Sequence, residues 1–258
     1  GRIRIVPFAI LRGMDTTAGI IFLDSDLNCL AQHRMLLPES VRIVAEPVEL
    51  KDGIVTNESL AAMFDSDQLE IAAKRLSEQG ARQILFACTS GSLINGAGWD
   101  RVIAERIERA SGIPGTSTTS AVLAAFRALD AKAISIGTPY IAEVDERERA
   151  FFEAVGFTVA LIEGLGCYTD AEIGALTPET IVSLAERVNR PAADVVFLSC
   201  TSLNVAQEIN RIEEAIGKPV VTSNQASAWL LMHRLGIEPR QNLFGKLMTV
   251  QMENEVSV

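Results

Sequence analysis

Val195-Val196-Phe197-Leu198-Ser199-Cys200-Thr201-Ser202 runs from an apolar strand into Cys-Thr-Ser, and it repeats an earlier stretch, Ile84-Leu85-Phe86-Ala87-Cys88-Thr89-Ser90. Each copy continues through an amphipathic helix to Gly-x-Pro, at Gly112 to Pro114 and again at Gly217 to Pro219. A hydroxyl-rich turn and an Ala-rich helix follow, ending Arg-Ala-Leu-Asp in one copy and Arg-Leu-Gly in the other. The spacing predicts two halves of one fold, each presenting one thiol.

Outward from the repeat, short apolar runs alternate with helical patterns. Asp65 or Ser66 can cap a helix whose apolar residues from Leu69 to Leu76 recur at helical spacing, with Gly80 as its stop. Further helices are expected over 99–110, 118–129, 141–155, 178–189, 203–216 and 224–235. Strands are expected over 83–87, 133–137, 157–162, 194–199 and 219–222. Residues 1–60 offer strands at 19–23 and 41–48 and a capped turn at Thr56-Asn57-Glu58. Buried strands separated by helices of ten or more residues indicate βαβ units and parallel sheets, the α/β class. In such sheets active residues sit at the carboxyl ends of strands, where both Cys-Thr-Ser triplets fall.

With 48% apolar and 22% charged residues in 258, the chain can bury a large core. No run reaches the roughly 18 apolar residues of a membrane span, and the first residues lack the order of a signal peptide, so a cytoplasmic protein is expected. A net charge of -10 disfavours nucleic acid as partner, because neutralising phosphates takes clustered Lys and Arg. The expected partner is a small carboxylate substrate, and self-association into a homo-oligomer is left open.

Four cysteines, Cys29, Cys88, Cys167 and Cys200, form no CxxC pair and no zinc-type cluster, so neither a disulfide framework nor a metal is indicated. A lone Cys after an apolar strand is ordinarily a packed small hydrophobe. Two at equivalent points of a repeat, with their neighbouring hydroxyls repeated as well, point to catalysis. If each stands at a helix N-terminus, its thiol is expected below its usual pKa of about 8.5. Thr89, Ser90, Thr201 and Ser202 then supply donors for a carboxylate or an enediolate. Cys29 and Cys167 lack this context and read as structural, and His33 and His233 read as core or surface residues. Gly91, Gly96 and Gly98 do not give the dinucleotide pattern GxGxxG. Tyr140, in Gly137-Thr138-Pro139-Tyr140, reads as packing or as a phenol donor, and the run Glu143 to Arg149 as a solvated helix face.

The paired Cys-Thr-Ser ends, Thr138-Pro139-Tyr140 and the stretch from Gly217 to Ala226 resemble the cofactor-independent aspartate/glutamate racemase superfamily. The branch is the one that holds maleate isomerases, arylmalonate decarboxylases and the racemase-like proteins of ectoine utilisation. The resemblance spans about residues 19–250. It implies two pseudo-symmetric, Rossmann-like lobes with roughly four-stranded sheets and a site at their interface. One lobe would take 1–118 plus 224–258, the other 119–223. It implies a PLP- and metal-independent enzyme with no cofactor, Cys88 and Cys200 as the acid–base pair, and Thr89, Ser90, Tyr140 and Thr201 as a carboxylate pocket. The decarboxylases of the branch use only the second cysteine, so Cys88 argues against a decarboxylase and points to an isomerase of racemase or epimerase type. The alternatives are a maleate-type cis-trans isomerase adding a thiolate to a double bond, or a non-catalytic binding homologue that keeps the cleft. Where maleate isomerases carry amide side chains, this chain has Asp24 or Asp26 and Asp170. These suit an amino-bearing acid, as in ectoine-type catabolism, or are turn residues facing water.

Overall fold

The computed structural model describes residues 16–239 and 243–252. The parts of the expected lobes at 1–15, 240–242 and 253–258 lie outside the described residues. The chain runs β1 (Thr17–Leu23), α1 (Cys29–Leu36), β2 (Arg42–Val48), α2 (Asn57–Ala62), α3 (Gln68–Glu78), β3 (Gln83–Ala87), α4 (Thr89–Leu93), α5 (Trp99–Ser111), β4 (Gly115–Ser117) and α6 (Thr118–Ala128). It continues with β5 (Ala133–Thr138), α7 (Ala142–Ala154), β6 (Thr158–Gly164), α8 (Asp170–Gly174), α9 (Pro178–Val188), β7 (Val195–Leu198), α10 (Ile209–Ile216), β8 (Val220–Thr222) and α11 (Ser223–Arg234).

The strands form two parallel sheets of four, ordered β2-β1-β3-β4 and β6-β5-β7-β8. The two orders are the same when each sheet is counted from its own first strand, and Cys88 and Cys200 each follow a third strand. Central strands read as unbroken apolar runs because helices cover both faces, as in β3, buried from Ile84 to Ala87. Pro47 lies in β2, an edge strand where its missing N–H costs no ladder bond. Polar caps set the helix starts. Thr222 opens α11 with a capping box to Gln225, and Thr56 opens α2 with one to Ser59.

Most expected elements lie within a residue or two of their places, and several differ in kind. The helix expected over 203–216 begins later, with a 3₁₀ turn at Ala206–Glu208 before α10. Gln32 of α1 holds the intervening loop: its amide oxygen accepts from the Val205 and Ala206 N–H groups at 3.3 and 3.2 Å. The hydroxyl-rich turn after Pro114 includes a short edge strand, β4. Residues 29–36 form α1, whose weak amphipathic pattern conceals it. Helix α11 packs on α1 and β3, so the last long helix lies against the first sheet.

Candidate active site

Cys88 is the N-cap of α4, and its Sγ accepts from the Gly91 N–H at 3.3 Å. Gly91 has no room for a side chain, since a Cβ there would stand 2.9 Å from Cys88 Sγ. Cys200 has φ of +139°, a conformation that L side chains rarely adopt. This turn sends its N–H to Ser223 Oγ at 3.0 Å and brings its Sγ 3.4 Å from the Ser202 N–H. Ser223 also accepts from Thr89 Oγ1 at 2.8 Å, so one hydroxyl at the start of α11 ties the two Cys-Thr-Ser turns together. Asn224 adds a bond from its amide to the Thr201 carbonyl at 2.8 Å.

Cys88, Thr89, Ser90, Tyr140, Asp170, Cys200 and Thr201 line one cavity, walled on the apolar side by Leu23, Leu50, Val55 and Leu60. At about 10 Å³ the cavity has room for about one water. Anything larger than a water fits only if part of the lining moves, and a cover closes its apolar side. That cover is the segment from Leu50 to Leu60, pinned across to the other half of the molecule. Val55 N–H donates to the Tyr168 carbonyl at 2.9 Å, and the Asn57 amide to the Glu143 carbonyl at 3.1 Å.

Neither thiol is acidified. Burial pushes Cys88 up to about 12 and Cys200 well above the usual range, and the Asp170 and Asp26 carboxyls push the same way. The expected helix dipoles are weak here, because α4 has five residues and the chain after Cys200 is irregular. The Gly91 and Ser202 N–H groups offset only part of the cost of burial.

The other expected residues separate. Tyr140 is buried, and its phenol hydrogen-bonds Cys200, which favours the thiolate. Asp170 lines the cavity and accepts from Ser25 Oγ at 2.5 Å; burial and Asp26 raise its pKa to about 6. Asp26 is buried but stands behind the cavity, where Oδ1 accepts from the Asn28 and Cys29 N–H groups at 3.0 Å each. Ser202 likewise stands behind it, with its hydroxyl 3.5 Å from Asp170 Oδ1. The turn reading fails for Asp26 and Asp170, which are 4% and 5% exposed. It fits Asp24, which is exposed and accepts from Leu50 N–H at 3.3 Å, bracing the cover. Cys29 is fully buried beside His33, with its Sγ 3.6 Å from Nδ1. The Glu143 to Arg149 run is no uniform solvated face: Glu148 is fully buried, because the same helix turns it toward the sheet.

Ser223, Gly91 and Ser25 have no individual mark in the sequence. Ser223 could be found only from the repeat, as the residue after the cap Thr222 in the second hydroxyl-rich turn.

A family model described as arylmalonate decarboxylase matches residues 28–248. Arylmalonate decarboxylase from Bordetella bronchiseptica is 31% identical over 69% of this chain and 74% of its own length. Maleate isomerase from Alcaligenes faecalis is 29% identical over 84% of this chain and 88% of its own. Among solved structures, a liganded double mutant of arylmalonate decarboxylase superposes with a TM-score of 0.82 at 29% identity, covering 90% of this chain and 97% of that one. The maleate isomerase of Pseudomonas putida S16 superposes at 0.83 with 22% identity, covering 90% and 98%, a likeness of fold.

Proposed function

The chain belongs to the arylmalonate decarboxylase family, and from that premise we propose that it is a cofactor-independent isomerase of racemase or epimerase type, acting at a carbon beside a carboxylate. The observation that carries the reading is the meeting of Cys88 and Cys200, from equivalent strand ends of two sheets, on one buried cavity. One thiolate removes the α-proton and the other thiol returns one to the carbon. The Ser90 hydroxyl, and those of Thr89 and Thr201 once they turn from Ser223 and Asp26, receive the substrate carboxylate and the charge that moves onto it as the proton leaves.

An amino-bearing acid is the substrate class that answers the electrostatics. Burial raises both thiols most and the carboxyls of Asp170 and Asp26 add to it, so an ammonium beside Asp170 offsets part of that added charge and lowers the thiols. This supports the ectoine-type reading over a plain dicarboxylate, which adds negative charge instead.

The test is exchange of the α-proton with deuterated solvent, screened over amino-bearing acids. Cys88→Ser and Cys200→Ser should each lower exchange by at least about a hundredfold. If both variants exchange at the parent rate, the two-thiol reading fails. Asp170→Asn should raise KM for an amino-bearing substrate by about tenfold, a lost charge-assisted contact. An unchanged KM would leave Asp170 without a substrate role.

The family holds a second reading, cis-trans isomerisation by thiolate addition, rotation and elimination. It is favoured by the Alcaligenes faecalis relative, a maleate isomerase. Rapid conversion of maleate to fumarate by this protein would favour it over the first. The cysteine pair argues against simple decarboxylation, for which one acid–base thiol suffices.

A further inference from the structure

Helix α7 carries a carboxyl that the two-thiol reaction does not use. Glu148 is fully buried, and its oxygens make no well-formed hydrogen bond, although the Ser199 hydroxyl lies near enough to act on its carboxyl. A buried carboxylate with no cation and no well-formed hydrogen bond is costly, so such a group keeps its proton. Burial pushes its pKa up to about 8, Asp145 pushes the same way, and the Ser199 hydroxyl draws it back.

Its surroundings tie it to the site. Ser199 is fully buried with a hydroxyl that makes no well-formed hydrogen bond elsewhere, and it is the residue before Cys200 just past the end of β7. Cys200 holds its +139° φ only if its neighbours over-determine the turn. Tyr140, which hydrogen-bonds Cys200, also feels the charge of Glu148. An ionised Glu148 adds negative charge to a pair already opposed by Asp170 and Asp26.

We propose that Glu148 is a positioning residue that works as a neutral carboxylic acid, sharing a hydrogen bond with Ser199 to hold the Cys200 turn and keeping negative charge away from the Cys200–Tyr140 pair. The inference rests on the reading of Cys200 as an acid–base group. Of the titratable groups around Glu148, Asp145 on its own helix ionises near 6, while Tyr140 after β5 and Cys200 after β7 titrate far above the neutral range. Between pH 7 and pH 9.5, to take working limits about Glu148's own titration, the charge that changes beside Ser199 and Tyr140, the two residues that join it to Cys200, is that of Glu148.

Alkylation of Cys200 by iodoacetamide, followed by peptide mass in Cys88→Ser protein, tests this without any substrate. Adding Glu148→Gln should leave the rate within about twofold at pH 7 and raise it about tenfold at pH 9.5, one pKa unit of relief at the thiol. The same ratio of rates at both pH values overturns the proposal. On the unsubstituted protein, infrared spectra should show a protonated-carboxyl stretch at neutral pH that fades by pH 9.5 and is missing in Glu148→Gln; its absence at neutral pH also overturns it. If the alkylation behaves as expected while Cys200→Ser still exchanges the α-proton, the reaction assigned to the site falls and the role of Glu148 stands.

Discussion

At the residue scale, backbone conformation at Cys200 trades stability for geometry. A φ of +139° is a conformation glycine adopts with little strain, and holding a side chain there costs about 1–3 kcal/mol. Cys200→Gly should therefore be more stable than Cys200→Ala by about 1 kcal/mol or more in urea unfolding, the reverse of the usual order, with both inactive. Equal stabilities would mean that the turn is unstrained. The cysteine itself was legible because its motif is written twice. Its φ was not, since that depends on Ser223, which lies 23 residues away in the chain. Asp26 and Asp24 show the same limit. Two aspartates two positions apart end up buried and exposed because one points at the N–H groups opening α1 and the other at the cover segment.

At the element scale, helix starts carry the site. Thr222 caps α11, and the next residue, Ser223, joins both cysteine turns. Thr222→Ala should cost about 1 kcal/mol of stability, read by thermal or urea unfolding, and should also slow α-proton exchange. A full loss of stability with unchanged exchange would separate the cap from the site. Elements with strong periodicity or punctuation were legible, such as α5, closed by Gly112 at φ of +71°, and β3 with its unbroken apolar run. Helices α4 and α8 were not, at five residues each, because so short a helix has little periodicity to read. The delayed start of α10 was hidden for another reason: the loop before it is held by Gln32, far earlier in the chain.

At the scale of the whole molecule, buried carboxyls set the response to pH. Asp145 and Asp170 are raised to about 6 and Glu148 to about 8, so these three carboxyls bind more protons folded than unfolded between about pH 4 and pH 8, and they outweigh the single buried His33, which burial lowers to about 4 and which acts the other way. Their contribution to stability is complete below the unfolded pKa values and is lost as pH rises through the folded ones. Tm should accordingly be higher at pH 5 than at pH 8, by about 5 °C, and Glu148→Gln should flatten the difference. A Tm that rises over that range would contradict the burial of these groups as protonated acids. Among the described residues no helix is long and apolar enough to cross a membrane. By itself the sequence determined the α/β class, the strand ends, the doubled thiol motif and the family, because hydrophobic period, capping residues and an internal repeat are local in the chain. Only the tertiary structure decided that the thiols are buried and hard to ionise, that Asp170 faces the cavity while Asp26 backs it, that Ser223 joins the two cysteine turns, and that Glu148 is buried. Desolvation and hydrogen bonding are set by what the other half of the molecule places nearby, and no local pattern records that.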